Sequence, residues 1–112
     1  MKFKASARFI RFSPYKLRPL VDVVRGTTVD RAVNILATFG LKRTLPIVKT
    51  IKSAAANAKN LGSRVSDDRL LIADIRVDQG PAIRSYRPGA MGRSEIRKKR
   101  FSHINVVVKV CE

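Results

Sequence analysis

The stretch from Gly80 to Phe101, GPAIRSYRPGAMGRSEIRKKRF, cannot lie inside any fold this chain adopts. Its cations are Arg84, Arg87, Arg93, Arg97, Lys98, Lys99 and Arg100, against one acid, Glu95, in 22 residues. Burying unpaired charge of one sign is prohibitive. The middle, Arg87-Pro88-Gly89-Ala90-Met91-Gly92-Arg93, reads as a turn, because proline presets φ and glycine allows positive φ. Both flanks continue strand-like runs, so the stretch reads as the end of a long β-hairpin. A bare two-stranded ribbon is marginal in water. Such a probe is expected to be ordered by its partner, and that partner must be a dense polyanion.

The rest of the chain supplies a scaffold. With 112 residues, 45% of them hydrophobic, it reads as one domain over 1–112 with a modest core. Lys and Arg number 24 against 8 acids, a net charge of +16. Charge of that size opposes compactness unless something neutralises it, which makes nucleic acid the expected partner. An anionic membrane surface is the alternative, but no Lys/Arg-rich amphipathic helix with a bulky apolar face is present. The one cysteine, Cys111, allows neither a disulfide within the chain nor a thiolate metal site. Met1-Lys2-Phe3-Lys4 opens a strand rather than a signal peptide, and no apolar run approaches the ~18 residues of a membrane span. The chain is expected to work where it is made, in the cytoplasm or in an organelle that encodes it.

Lys2 to Phe9 alternates, with Phe3, Ala5, Ala7 and Phe9 on one face of a half-buried strand. Ser13-Pro14 reads as a helix start, with Leu17, Leu20, Val21 and Val24 as the stripe and Gly26 as the stop. Pro19 conflicts with it and predicts a bend or a distorted first turn. A second helix is expected from about Val29 to Phe39, capped by Thr27 or Thr28 and stopped by Gly40. Its inward residues are Val29, Ala32, Val33, Leu36 and Phe39. The third runs from about Thr44 to Leu61, ending at Gly62, with Ile47, Ile51, Ala54, Ala58 and Leu61 on one face. The run Ala54-Ala55-Ala56 has no bulk, so something should approach closely there. Ser63 to Asp68 reads as a loop. Leu70 to Val77 and His103 to Val110 alternate as strands. No internal repeat or linker interrupts them.

Core faces must coincide in a hairpin, because a one-residue slip turns a strand inside out. Pairing Ile75 with Val106, Val77 with Ile104, Ala73 with Val108 and Leu71 with Val110 matches all four positions. Carried outward without a bulge, this register sets Arg84 opposite Arg97 and Tyr86 opposite Glu95. Lys98 then faces Ile83, and Arg100 faces Pro81. Like charges directly opposite destabilise a free ribbon. Cations on both faces suit a ribbon surrounded by phosphates better than a sheet lying on a flat surface. Arms of about ten residues reach roughly 30 Å, beyond the ~8.5 Å depth of a DNA major groove, which suits penetration into a folded RNA.

No catalytic constellation appears. His103 is the single histidine, and packing or an RNA hydrogen bond is its expected role. Asp67-Asp68, Asp74 and Asp78 match no calcium loop and read as internal partners for arginine. The glycines of the hairpin form no P-loop. Phe3, Phe9 and Phe39 are expected in the core, whereas Tyr86, among arginines, is placed to stack on a base or sugar.

The residues Ser13-Pro14-x-Lys16-x-Arg18, Arg25-Gly26 and Ser53-Ala54-x-Ala56-Asn57-Ala58 form one ordered set. Val77-Asp78-x-Gly80-Pro81, Gly92-Arg93, Lys99-Arg100-x-Ser102-His103-Ile104 and Val106-Val107-Val108 continue it. Each motif is weak alone, but in this order over the whole length the chain resembles a family. That family is the large-ribosomal-subunit protein called L twenty-two (uL-twenty-two), of the bacterial or organellar type. The resemblance implies an α+β fold, with a three-stranded antiparallel sheet packed against three helices and a long protruding hairpin at about 80–101. It implies a monomer within the ribosome that binds 23S-type large-subunit RNA and touches neighbouring ribosomal proteins and the nascent polypeptide. It further implies support of subunit assembly and a hairpin lining the exit tunnel. No cofactor, metal or membrane is implied. The expected RNA-binding residues are Lys16, Arg18, Arg25, Arg84, Tyr86, Arg87, Arg93, Arg97, Lys98, Lys99, Arg100 and His103. The expected tunnel-lining tip is Pro88, Gly89, Ala90, Met91 and Gly92. The family usually carries cations at the positions of Gly89 and Met91, an aliphatic residue at Pro19 and a small one at Phe101. A small architectural DNA-binding protein is the rival reading and predicts a dimer with a duplex footprint. An RNA-modifying enzyme is a second rival, opposed by the lack of any catalytic constellation.

Overall fold

The computed structural model describes residues 2–61, 66–92 and 94–110. Gly62 and Ser63 of the expected helix stop and loop, Arg93 and Cys111 lie outside the described residues. The order of elements is β1 (Lys2–Ile10), α1 (Pro14–Val24), α2 (Val29–Phe39), α3 (Thr44–Asn60), β2 (Leu70–Pro88) and β3 (Ser94–Val110). Three helices and a three-stranded antiparallel sheet of order β1-β3-β2 make an α+β fold. The strand that comes last in the sequence, β3, is therefore central. Its all-apolar face, Ile104, Val106 and Val108, is wholly buried, as a central strand requires.

Each helix owes its place to its stripe. Leu17, Leu20, Val21 and Val24 of α1 are buried, as are Val29, Ala32 and Leu36 of α2 and Ile47, Ile51, Ala54, Ala55 and Ala58 of α3. Burying one such aliphatic side chain is worth about 1.5–3 kcal/mol. The small residues of α3 let it pack closely on the sheet, and Asn57 Nδ2 donates to the Lys4 carbonyl of β1 at 2.8 Å. α1 runs unbroken through Pro19, which faces solvent. Its first turn tightens instead: the Ser13 carbonyl accepts from both Lys16 and Leu17. Ser13 holds the N-cap position without the side-chain bond expected of it. Thr28 does cap α2, accepting from the Arg31 N–H, and Gly40 ends that helix with φ of 62°.

Several inward assignments are corrected. Phe39 and Leu61 are exposed: Phe39 is the last residue of α2 and Leu61 the C-cap of α3, where the stripe runs out. Val33 is only half-buried. Phe9 is 56% exposed and has left the core face of β1. A break in the β1–β3 register between Ala7 and Ile10 turns it out, with φ of 58° at Phe9 itself.

The hairpin register is also corrected, by two bulges. Ile75 pairs with Val106 and Val77 with Ile104, as expected. Beyond Ala73, however, Ile72 pairs with Val108 and Leu70 with Val110. Leu70 and Ile72 are therefore the buried pair, while Leu71 and Ala73 are half-buried. The α1–α2 connection sets this shift. Ile72 donates to the Thr27 carbonyl at 2.8 Å and accepts from the Gly26 N–H at 3.1 Å, so the linker closes the edge of β2. In the other direction, Gly80 and Pro81 together oppose Phe101. Proline has no N–H to give a ladder and belongs at such a bulge. A Cβ on Gly80 would stand 2.9 Å from the Phe101 carbonyl oxygen, so only glycine fits the close approach.

Candidate nucleic-acid interface

The outer bulge resets every pair beyond it. Arg84 stands opposite Lys98, not Arg97, and Tyr86 opposite Ile96, not Glu95. Ile83 pairs with Lys99 and Ala82 with Arg100. The expected repulsion survives with a different partner, because Arg84 and Lys98 are again like charges directly opposite. Arg87 now pairs with Glu95 in the backbone register. The side chains of Arg87 and Arg97 are outside what the structure describes.

Alternation along β3 assigns the faces. Arg100 and Lys98 continue the side that bears Ser102 and Ile104, and Arg84 shares it across the pair. Lys99 points the opposite way. All four are exposed. Cations thus occupy both faces of the outer ribbon. Tyr86 is 67% exposed on the Arg84 side. At the end, Ala90–Gly92 forms one 3₁₀ turn with Met91 at φ of 59° and 99% exposed. Pro88 and Gly92 are exposed beside it and Gly89 is half-exposed; of Ala90 only the backbone is described. The chain spans 64 × 26 × 16 Å.

The base of the ribbon joins a second group of cations. The Arg100 guanidinium lies 5.6 Å from the centre of the Tyr15 ring, and that of Arg18 lies 5.7 Å from it. Tyr15 therefore bridges the start of α1 to the hairpin, with Lys16 exposed beside it. Sequence reasoning missed Tyr15. The signal was its position between Pro14 and Lys16, inside a motif whose other residues had been singled out.

Arg18 and Arg25 have internal work. Arg18 Nε donates to the Val77 carbonyl at 3.4 Å, and Arg25 Nη2 to the Ile75 carbonyl at 2.8 Å. These carbonyls lie on the outer edge of β2, and α1 covers them. Arg25 Nη1 also meets Asp22 at 2.8 Å. Each guanidinium has five donors, so both remain able to bond outward as well. Asp74 pairs with Arg76 at 2.7 Å, as expected of the acids, whereas the partner of Asp78 is Asn105 rather than an arginine: its carboxylate accepts from Asn105 Nδ2 at 2.8 Å.

His103 is likewise engaged within the chain. Its Nδ1 accepts the Phe9 N–H at 3.0 Å, and the two rings meet edge to face at 5.0 Å. Next to it, the buried Ser102 donates to the Phe12 carbonyl at 2.5 Å. The Ser102-His103 pair of β3 thus ties down the end of β1, at Phe9, and the connection to α1, at Phe12; Arg8 lies near the end of β1, Arg11 in the connection and Lys16 in the first turn of α1. Among the described residues, no group of three or more His, Cys, Asp or Glu could hold a metal, and no helix is long and apolar enough to cross a membrane.

The architecture is that of a strongly basic α+β protein with a charged two-stranded extension. Comparison with known sequences makes the class particular: the family described as Ribosomal protein L22p/L17e matches residues 5–109, and the chain belongs to it. It is similar to the large ribosomal subunit protein uL22 of Desulforamulus reducens, 45% identical over 108 residues, which cover 96% of this chain and 95% of that one. It is similar to the protein of the same name from Thermus thermophilus, 43% identical over the same coverage of both chains. A third relative of that name, from Desulfitobacterium hafniense, is 43% identical across 94% of this chain and 91% of its own length.

Proposed function

We propose that this chain is a structural component of the large ribosomal subunit that binds large-subunit ribosomal RNA and supports subunit assembly. The tip, Pro88 to Gly92, would line the exit tunnel and meet the nascent polypeptide. The chain acts as a single-domain, non-catalytic monomer among neighbouring ribosomal proteins, in the ribosomes of a cytoplasm or of an organelle, and needs no membrane. The names of the relatives support membership of the large ribosomal subunit.

The observation that carries the RNA reading is the ribbon beyond Gly80, with exposed cations on both faces and Arg84 held opposite Lys98. That pair repels in the free chain and is relieved when phosphates stand between. Arg84, Lys98, Lys99 and Arg100, together with Arg87, Arg93 and Arg97 of the same stretch of sequence, neutralise RNA segments brought together around the ribbon. Lys16, Arg18 and Arg25 extend the contact to the base, with Tyr86 stacking further out. His103 contributes by holding the β1–α1 connection.

Ultraviolet crosslinking of the tagged chain in cells, followed by sequencing of the attached RNA, tests this reading. Reads concentrated in large-subunit ribosomal RNA are expected. Reads spread over messenger RNA, or attachment to duplex DNA by a dimer, would favour an architectural protein outside the ribosome.

A further inference from the structure

We propose that the groove between the end of β1 and the start of α3 receives one extruded nucleobase of the bound RNA, with Phe9 as its stacking platform. The inference rests on the RNA-binding reading above and adds to it a site apart from the hairpin.

The first observation is the backbone at Phe9. Its φ of 58° lies in the left-handed region, where a bulky residue is an outlier. The conformation turns an aromatic side chain out of the core at a position where alternation alone would bury it. The second is that this conformation is held from outside the segment. The Phe9 N–H is bonded to His103 Nδ1, and the imidazole stands edge-on to the ring at 89°. Strain that the surroundings enforce marks positions where a particular side-chain direction is used.

The third is the groove itself, of about 670 Å³. Phe9, Phe12 and Leu45 give it an apolar lining, and Arg11, Lys42 and Lys49 also line it. No carboxylate is among its lining residues. Arg8 adds a fourth cation, its guanidinium 5.7 Å from the Phe9 ring centre. An apolar peptide would leave these cations without counter-charge, and a basic one would be repelled. An unstacked nucleotide supplies both halves of the match: a flat base for the aromatic ring and phosphates for the cations.

The chain has no tryptophan, so Phe9→Trp introduces a unique fluorophore. Full-length Phe9→Trp is titrated with protein-free large-subunit ribosomal RNA, and its emission should quench in step with binding. Phe9→Leu, which keeps apolar bulk and loses the stacking face, should bind the same RNA roughly 5- to 100-fold more weakly, while Phe9→Tyr should bind like wild type. Irradiation of the wild-type chain on this RNA gives a readout that needs no variant to fold. A nucleotide adduct on Phe9 supports the site, and adducts confined to the hairpin overturn it. Unchanged affinity of Phe9→Leu with no quenching also overturns it, as does loss of a neighbouring ribosomal protein from reconstituted subunits at unchanged RNA affinity. Failure of the wild-type chain to bind RNA at all would instead sink the reading beneath it.

Discussion

β2 and β3 run side by side through two environments. From Leu70 to Gln79, against Ser102 to Val110, α1 covers one face and β1 lies along the far edge of β3; Ile72, Ile75, Ile104, Val106 and Val108 are fully buried. From Ala82 to Pro88, against Ser94 to Arg100, no third strand pairs among the described residues, α1 reaches the base through Tyr15 beside Arg100, and Ile83, Tyr86 and the described cations face solvent. The boundary is the bulge of Gly80 and Pro81 against Phe101. The same ladder thus holds the core on one side of the bulge and presents charge on the other. The lesson is that buried apolar core and exposed charge are separated along a single pair of strands.

The largest effect should come from salt. If roughly 6–10 phosphates are neutralised, affinity for protein-free ribosomal RNA falls ~10³–10⁵-fold between 50 and 200 mM salt, by analogy with duplex DNA. Thermal unfolding of the free chain should vary far less over that range. A flat binding response would break the comparison at its outer half.

Removing the outer half tests independence directly. Ala82 and Arg100 face each other, so residues 83–99 can be replaced by an Asn-Gly turn without disturbing the inner register. Calorimetry should find unfolding still cooperative, and filter binding should find most RNA affinity gone. Loss of the folded state would mean that the ribbon supports the core after all.

Within the ribbon, arms and tip should differ. Arg84→Glu places an anion among phosphates and should reduce incorporation into mature large subunits. Met91→Ala changes a side chain that touches little of its own protein, and should leave incorporation unchanged while altering drug sensitivity or stalling. Abundance of each variant in purified subunits decides, and equal depletion would erase the distinction.

Smaller effects sharpen the boundary and the core. Gly80→Ala forces a Cβ against the Phe101 carbonyl and should cost about 1–3 kcal/mol, read as a lower midpoint in urea. No change would mean that the bulge can relax. Pro19→Leu restores an N–H inside a helix that is continuous there. Offset by the looser unfolded chain, it should add about 1–2 kcal/mol. A lower melting temperature would contradict the helical backbone at 19.

The separation of core and probe was legible in the order of residues alone. Leu17, Leu20, Val21 and Val24, or Ile104, Val106 and Val108, reveal helix and strand because their periods are local properties of the backbone. A charge run with almost no acid declares itself unburied wherever it falls. The hairpin's existence and its turn followed from the same kind of signal. Its register did not. Alternation in β2 permits Leu71 and Ala73 inward as readily as Leu70 and Ile72, and the choice is made by Thr27 and Gly26, distant in sequence, pairing with Ile72. The outer bulge depends on how closely Phe101 approaches Gly80, and that distance exists only once the strands are together. Phe9 leaves the core because His103 and the break in β1 outweigh its apolar character. Arg18 and Arg25 turn partly inward because β2 has an edge for them to cover. Periodicity tells which residues want to be inside; only the assembled neighbours decide where a strand must yield a residue to let them in.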